Sequence, residues 1–316
     1  MGNSCYFNAV IQCLAHTPEL SKAVMAGKPP LGDLPVTYVR LISRMLAENN
    51  SSVTIRPISL LQKVLNDPAN DFRRFVQGDA HELLDFLINA LHDACAKKVR
   101  ISILGEPTSE FAHKEKESML AFKREFEAKY STVLNVFFGQ LCNVIRSSDG
   151  VFEKNVFDTF STLVLPVPPK ASGVTLHDCL ATFFDDAKLD GENRFFDDVR
   201  NTYVDAVKSH LLWKLPEIIV ITLRRHNQQG ALFSKNQTQV AIPAQLDVRK
   251  YTLRGHPGPF LYSLYAVCNH KGSADSGHCY AVCLRGDQWF AFDDDCVQKV
   301  DSPASRDNYI LFYRRL

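Results

Sequence analysis

Residues 5–14 read CYFNAVIQCL, and this stretch decides how the rest of the chain is interpreted. Its apolar side chains recur at the intervals of one helix face, which predicts a buried helix. Asn3 or Ser4 stands where an N-cap residue is expected, so Cys5 falls in the first turn. A cysteine at a helix start is most often a small buried side chain, so the position alone assigns no chemistry.

Outward from this stretch, the chain changes character near residue 135. Helical periodicity predicts helices at 36–46, 58–64 and 79–96, so the first 130 or so residues should be mainly helical. Short runs rich in β-branched and aromatic residues then predict strands at 160–167, 217–223, 262–268, 279–284, 288–292 and 308–313. Loop residues cluster at 147–150, 166–173, 227–230, 256–259 and 271–277. The predicted fold class is α+β.

The composition of the chain limits its possible partners and its location. The 316 residues are 46% hydrophobic, enough for a large buried core. Lys plus Arg number 36 against 35 Asp plus Glu, so the net charge of +1 favours neither nucleic acid nor an anionic membrane as partner. The nine cysteines have no disulfide-framework spacing, and no leader or membrane-spanning run is evident. We therefore expect an intracellular protein, cytoplasmic or nuclear.

A helical region with a cysteine at a helix start, followed by a β region with a histidine on a strand, is the layout of papain-like thiol proteases. The positive end of the helix dipole favours the thiolate and should lower the pKa of the cysteine. A histidine across the cleft can accept the thiol proton and later protonate a leaving amine. A third polar side chain fixes the orientation of the imidazole.

Local sequences add a family to this layout. Residues 1–8, MGNSCYFN, resemble the cysteine box of the ubiquitin-specific proteases, and 276–281, SGHCYA, followed by FDD at 292–294, resemble their histidine box. Residues 77–84, 137–141, 215–225 and 309–313 are similar to further motifs of the family. The resemblance implies one catalytic domain over 1–316, arranged like a right hand: a helical thumb (about 1–130), fingers (about 131–215) and a palm (about 216–316).

The resemblance also assigns roles. It makes Cys5 the nucleophile, His278 the general base and acid, and Asp293 the carboxylate that orients the histidine. Asp294 and Asp295 are alternatives to Asp293, because neighbours on a strand point to opposite faces. Family position favours Asp293, and Asp294 is an auxiliary candidate.

Two further acids and one histidine also have expected roles. Asp79 and Glu82, three apart on a helix, are expected to bind the arginine-containing tail of ubiquitin, although acids also suit any helix N-terminus. His270 is expected to be a packing or loop histidine.

The chain departs from the family pattern in three places. The positions that often carry zinc-binding cysteines in the fingers align with Ser147, Gly150, Asp197 and Arg200, so we expect no metal and no cofactor. Cys279 replaces the tyrosine that normally follows the catalytic histidine. The oxyanion-stabilising asparagine of the family would fall one position before Met1.

Two functions remain open from the sequence. One is a monomeric thiol-dependent isopeptidase acting on ubiquitin and ubiquitinated proteins. The other is a ubiquitin-binding module with weak or no turnover, because the chain begins inside the cysteine box.

Overall fold

The computed structural model describes residues 3–26, 33–47, 54–169, 173–229, 232–273 and 276–316, so Met1 and Gly2 of the cysteine box lie outside it. Its helices are α1 Cys5–Ala15, α2 Pro18–Ala26, α3 Asp33–Ala47, α4 Ile58–Asn66, α5 Ala80–Cys95, α6 Glu110–Phe126, α7 Val133–Phe137 and α8 Leu176–Phe183. Those predicted at 5–14, 36–46, 58–64 and 79–96 are confirmed. Among the described residues, no helix is long and apolar enough to span a bilayer.

The strands follow mainly after α7. They are β1 Gly139–Ser147, β2 Glu153–Phe160, β3 Leu163–Pro166, β4 Val174–Thr175, β5 Ala187–Leu189, β6 Phe195–Asp197, β7 Thr202–Val204, β8 Ala206–Lys214, β9 Ile218–Arg224, β10 His226–Gln229, β11 Leu232–Lys235, β12 Val240–Ala241, β13 Gln245–Asp247, β14 Leu261–Gly272, β15 Gly277–Arg285, β16 Gln288–Asp293, β17 Cys296–Val300 and β18 Asn308–Arg315. With the helices before them, they confirm the α+β class.

The strands form two main sheets. The larger has the order β17-β16-β15-β14-β18-β9-β3 with β13 paired to β14, and the smaller has the order β2-β1-β8-β5. The single strand expected at 160–167 is wrong in detail: β2 ends at Phe160 in the small sheet, and β3 begins at Leu163 in the large one. The turn expected at 227–230 lies instead in a hairpin of β10 and β11. The segment 131–215 therefore contributes strands to both sheets.

The large sheet separates two hydrophobic cores. In β9, Ile218 and Val220 enter the core on the helical side, whereas Ile219, Ile221 and Leu223 enter the core on the other side. Because each face of this strand is covered, its sequence is a nearly continuous apolar run, interrupted by Thr222, rather than an alternating one.

Helices α1 and α5 fill the first core. The face of α5 that contains Leu83, Leu84, Leu87 and Leu91 is fully buried, and each such side chain contributes about 1.5–3 kcal/mol through removal from water. Helix α1 packs along β15 and β14 and shares this core with them. This packing brings the first turn of α1 to the strand that carries His278.

Candidate active site

Cys5 is the first residue of α1 and is 8% exposed. Ser4 holds the N-cap position, but its side chain makes no capping hydrogen bond. The side chain of Asn3 donates instead to the carbonyl of Phe75 at 2.7 Å, so the expected side-chain cap is wrong. The side-chain oxygen of Ser4 therefore accepts no hydrogen bond from the first N–H groups of α1. These groups can donate to an anion beside Cys5.

His278 and Asp293 lie at one end of the adjacent strands β15 and β16. Nε2 of the histidine is hydrogen-bonded to Oδ1 of the aspartate. Burial alone would lower the pKa of His278, but the hydrogen bond and charge of Asp293, with smaller effects of Cys5 and Asp294, raise it above the ordinary value. The pair can therefore hold a proton on the imidazole in the way a general acid requires.

Asp294 occupies a different position from Asp293. It follows the end of β16 with a φ of 52°, in the left-handed region, within the turn to β17. Its Oδ1 accepts a hydrogen bond of 2.7 Å from Nδ2 of Asn8, a residue of α1. Asp294 thus ties the turn after Asp293 to the helix that begins with Cys5.

The Cys5 thiol lies close enough to the thiol of Cys279 to interact with it. This interaction and burial raise the pKa of Cys5 well above its ordinary value, although the charge of His278 opposes the rise. The expected lowering of the pKa by the helix N-terminus is therefore wrong for this arrangement. A neighbouring thiol and a low-polarity environment outweigh the helix dipole, whose effect is worth about 0.3–1 kcal/mol.

Asp79 and Glu82 are placed at the start of α5 but differ in their surroundings. Asp79 is the N-cap: its Oδ1 accepts from the N–H groups of His81 at 2.6 Å and Glu82 at 3.2 Å. The hydroxyl of Tyr309, on β18, also donates to its carboxylate at 2.9 Å. Asp79 therefore already joins α5 to the large sheet, whereas Glu82 is exposed.

Glu82 borders a groove of about 1120 Å³ between α5 and the segment 66–79. Acids outnumber bases on its walls: Asp67, Asp71, Asp79, Glu82 and Asp93 against Lys63 and Arg73. The pKa of Glu82 is raised, first because its carboxylate is partly withdrawn from water and then by the charges of Asp79 and Asp71. The charge of His81 opposes this rise. The groove suits a cationic, extended segment.

Gln77 is a residue to which the sequence assigned no role of its own. Its Nε2 donates to the carbonyl of Gly277 at 2.6 Å, and the N–H of Gly277 lies 3.4 Å from its Oε1. Gly277 directly precedes His278, so the amide of Gln77 holds the backbone beside the histidine. The only sequence signal was its place in the motif at 77–84.

His270 packs under the same backbone. It is 8% exposed, lies beside the ring of Tyr309, and a Cβ added at Gly277 would come within 2.2 Å of its Nε2. This agrees with the expected packing role and explains why residue 277 is glycine.

The four aligned zinc positions of the fingers meet at two facing turns. Arg200 pairs with Asp197 in its own turn and with Asp149 of the opposite turn at 2.6 Å. Ser147 donates to the same Asp149. The Asp197 side chain is only 1% exposed, so its pair with Arg200 is shielded from water. A guanidinium occupies the centre of this cluster, and such a group does not ligate zinc.

The chain is similar to known proteins along its whole length. The family model for ubiquitin carboxyl-terminal hydrolases matches residues 1–313. Ubiquitin carboxyl-terminal hydrolase 21 of Rattus norvegicus is 28% identical over 342 residues, covering 99% of this chain and 60% of that protein. Ubiquitin carboxyl-terminal hydrolase Usp2 of Drosophila melanogaster is 29% identical over 329 residues, covering 100% of this chain and 34% of that protein.

These relatives are longer proteins, of which the chain spans about three fifths or less. Among solved structures, the SAGA Ubp8/Sgf11/Sus1/Sgf73 DUB module bound to ubiquitin aldehyde is similar with a TM-score of 0.77 at 24% identity. That match covers 100% of this chain and 68% of the other, and it shows that the two share a fold.

Proposed function

Because the chain belongs to the ubiquitin carboxyl-terminal hydrolase family, we propose that it is a cysteine-type deubiquitinase that hydrolyses the bond after the C-terminal glycine of ubiquitin. The observation that carries the proposal is the placement of Cys5 at the start of α1, close enough to His278 for their charges to interact. Ubiquitin and ubiquitinated proteins are the proposed substrates. The similar structure bound to ubiquitin aldehyde supports that choice.

The first half of the reaction uses the pair of Cys5 and His278. The thiol gives its proton to the imidazole, and the thiolate sulfur adds to the carbonyl carbon of the terminal glycine. Charge develops on the carbonyl oxygen, where the N–H groups at the start of α1 can donate. The imidazolium then protonates the leaving lysine amine, and a thioester remains on Cys5.

The second half reverses the roles. His278 accepts a proton from water, the resulting hydroxide attacks the thioester, and Cys5 leaves with the ubiquitin carboxylate released. Asp293 keeps the imidazole oriented through both halves. Since the resting thiol has a raised pKa, proton transfer to His278 belongs to the catalytic cycle and does not precede it.

The ubiquitin-binding module without turnover is the second candidate. The family match and the similar proteins give it no support, and Cys5, His278 and Asp293 are all present.

The test compares Cys5→Ala with Cys95→Ala, since Cys95 is also a buried cysteine but lies at the far end of α5. We expect Cys5→Ala to lose hydrolysis of a fluorogenic ubiquitin C-terminal amide and the covalent adduct with an electrophilic ubiquitin probe. Cys95→Ala should retain both. Hydrolysis by Cys5→Ala at the wild-type rate would contradict the mechanism, and an inactive wild type that binds ubiquitin would favour the module.

The proposal extends to the oligomeric state, location, subdomains and partners of the chain. We propose a monomer that acts inside the cell, with a helical thumb (1–130), fingers (131–215) and a palm (216–316), and with no nucleic acid, membrane, metal or cofactor as partner. The near-zero net charge supports the exclusion of polyanionic partners.

A further inference from the structure

Two pairs of cysteines lie along the contact between α1 and β15. Cys5 and Cys13 are on α1, Cys279 and Cys283 are on β15, and all four are in the first hydrophobic core. Helix α1 packs along β15, and the thiols of Cys5 and Cys279 lie close enough to interact, as do those of Cys13 and Cys283. All four are free thiols.

The spacing of these residues explains the two contacts. Eight residues of helix rise about 12 Å, and four residues of strand extend about 13 Å. A helix that lies along β15 with Cys5 beside Cys279 therefore also brings Cys13 beside Cys283. Alternation along the strand directs residues 279, 281 and 283 to the same side, toward α1.

Cys279 thus presents a thiol to the reactive sulfur of the proposed mechanism. Beyond Cys279 lies Cys268 on β14, whose thiol is close enough to interact with that of Cys279. Among the described residues, Cys268 has no such interaction with Cys5. Cys279 is therefore the thiol placed to react with an oxidised Cys5.

We propose that Cys5 and Cys279 form a modification site, in which oxidation of the nucleophile by a hydroperoxide is captured as an intramolecular disulfide. The inference rests on the proposed function only in taking Cys5 as the reactive thiol. It assigns Cys279, at the position after the catalytic histidine, the role of resolving cysteine.

The chemistry balances in two steps. His278 first accepts the Cys5 proton, as in the proposed mechanism, and the thiolate attacks one oxygen of the hydroperoxide. The O–O bond breaks, the sulfur is oxidised by two electrons to a sulfenic acid, and the departing oxygen takes the proton from His278 and leaves as water or an alcohol. The sulfur of Cys279 then attacks the Cys5 sulfur, the S–O bond breaks, and the departing hydroxide takes the thiol proton as water. A dithiol reductant returns both thiols by two exchange steps.

The disulfide has a clear consequence for activity. It removes the nucleophile from catalysis, yet it stops oxidation before the sulfinic acid, which thiols do not reduce. Inactivation by a moderate dose of peroxide should therefore be reversible in this chain. A variant without the Cys279 thiol should lose that reversibility.

The experiment treats the reduced full chain with hydrogen peroxide and maps the products by mass spectrometry. We expect a loss of about 2 Da, the two thiol hydrogens, and a cross-link between the tryptic peptides 1–22 and 272–285. Each peptide contains two cysteines, so the assignment uses the double variant Cys13→Ser/Cys283→Ser, which leaves only Cys5 and Cys279 in them. The link should persist in that variant, and dithiothreitol should restore most of the activity of the wild type.

Cys279→Ser supplies the opposite case. It should give no link at Cys5, more sulfinic acid on Cys5, and at least about 10-fold less recovery with dithiothreitol. Sulfinic acid on Cys5 of the wild type with no Cys5–Cys279 link would overturn the proposal, as would a link confined to Cys13 and Cys283. The mapping needs no turnover of ubiquitin, so its outcome is separate from the failure or success of the proposed function.

Discussion

At the scale of single residues, the His278–Asp293 contact sets the proton chemistry of the site. Two acids follow each other in the sequence, and the structure gives them different partners: His278 for Asp293 and Asn8 for Asp294. The catalytic roles themselves stay predictions until activity is measured.

Asp293→Asn should shift the pH dependence of catalysis. Asp293 raises the pKa of His278, so its neutralisation should lower that pKa. Because the resting imidazole must be neutral to accept the Cys5 proton, the acid limb of the kcat/KM profile should move to lower pH. The rate should fall by about 10²–10⁴-fold, as for other oriented histidines.

The measurement is the kcat/KM profile of a fluorogenic ubiquitin amide, with the His278 titration followed by NMR in the same variant. Asp295→Asn is the matched control, because Asp295 is an exposed neighbour outside the His278 contact. An acid limb that does not move in Asp293→Asn would show that another group orients the imidazole.

At the scale of elements, the site is assembled by contacts between α1, the start of α5 and the strands β14 to β18. Gln77 precedes α5 and reaches the backbone at Gly277 on β15. Asp79 caps α5 and accepts from Tyr309 on β18. The N-terminal end of α5 is thus fixed to the sheet on both sides of the groove.

Gln77→Ala should lower kcat more than it raises KM. Loss of the amide frees the backbone before His278, and a small displacement of a catalytic group costs about 10-fold or more in rate. Gln288→Ala, at an exposed position on β16, is the control. The measurement is steady-state kinetics on a ubiquitin amide. An equal effect of both substitutions on kcat would show that Gln77 does not position His278.

The two finger turns offer a second test at this scale. Hydrogen bonds from Ser147 and then Arg200 lower the pKa of Asp149 to about 2, so its carboxylate stays charged well below the ordinary range near about 4. Its contribution to stability should be complete above about pH 4 and be lost as the pH falls toward about 2. Arg200→Ala should increase amide hydrogen exchange in residues 147–151 at neutral pH.

Exchange mass spectrometry measures this effect, with Arg194→Ala, on the segment before β6, as the control. Elemental analysis of the wild type should find far less than one zinc per chain, and a chelator should leave the Tm unchanged. Stoichiometric zinc would show that the alignment of the fingers is wrong.

At the scale of the whole molecule, recognition depends on local charge, because the net charge is only +1. The groove beside α5 concentrates acids, and Glu82 is its exposed member next to the α5 cap. Asp79 differs because its carboxylate is used to hold α5 against the large sheet.

Glu82→Gln should raise the KM for ubiquitin substrates several-fold and leave kcat nearly unchanged, since one exposed ion pair is worth about 0.2–1 kcal/mol. Asp79→Ala should instead lower the Tm, because loss of an N-cap side chain costs about 0.5–2 kcal/mol. The raised pKa of Glu82 means that substrate affinity should begin to fall, as pH decreases, above the ordinary glutamate range.

Kinetics at two salt concentrations and thermal unfolding separate these effects. Salt should weaken wild-type binding more than binding by Glu82→Gln. Equal KM values for wild type and Glu82→Gln at low salt would show that Glu82 does not bind the ubiquitin tail.

The sequence by itself determined the change from helices to strands and several of the elements. The periodicity at 5–14 placed Cys5 in a helical first turn, and the run at 217–223 predicted the strand β9. These features depend on residues close together in the chain, where spacing alone carries the information. The motifs around Cys5 and His278 placed the family in the same way.

The tertiary structure alone decided which of these residues meet. The bond from Gln77 to Gly277 spans 200 residues, and that from Asn8 to Asp294 spans 286. The contact of Cys5 with Cys279 reverses the expected shift in the thiol pKa, and the bonds of Asp79 show that it caps α5 and joins it to the large sheet. Packing of a helix on a strand fixes such contacts through the register between them, and local periodicity contains no information about that register.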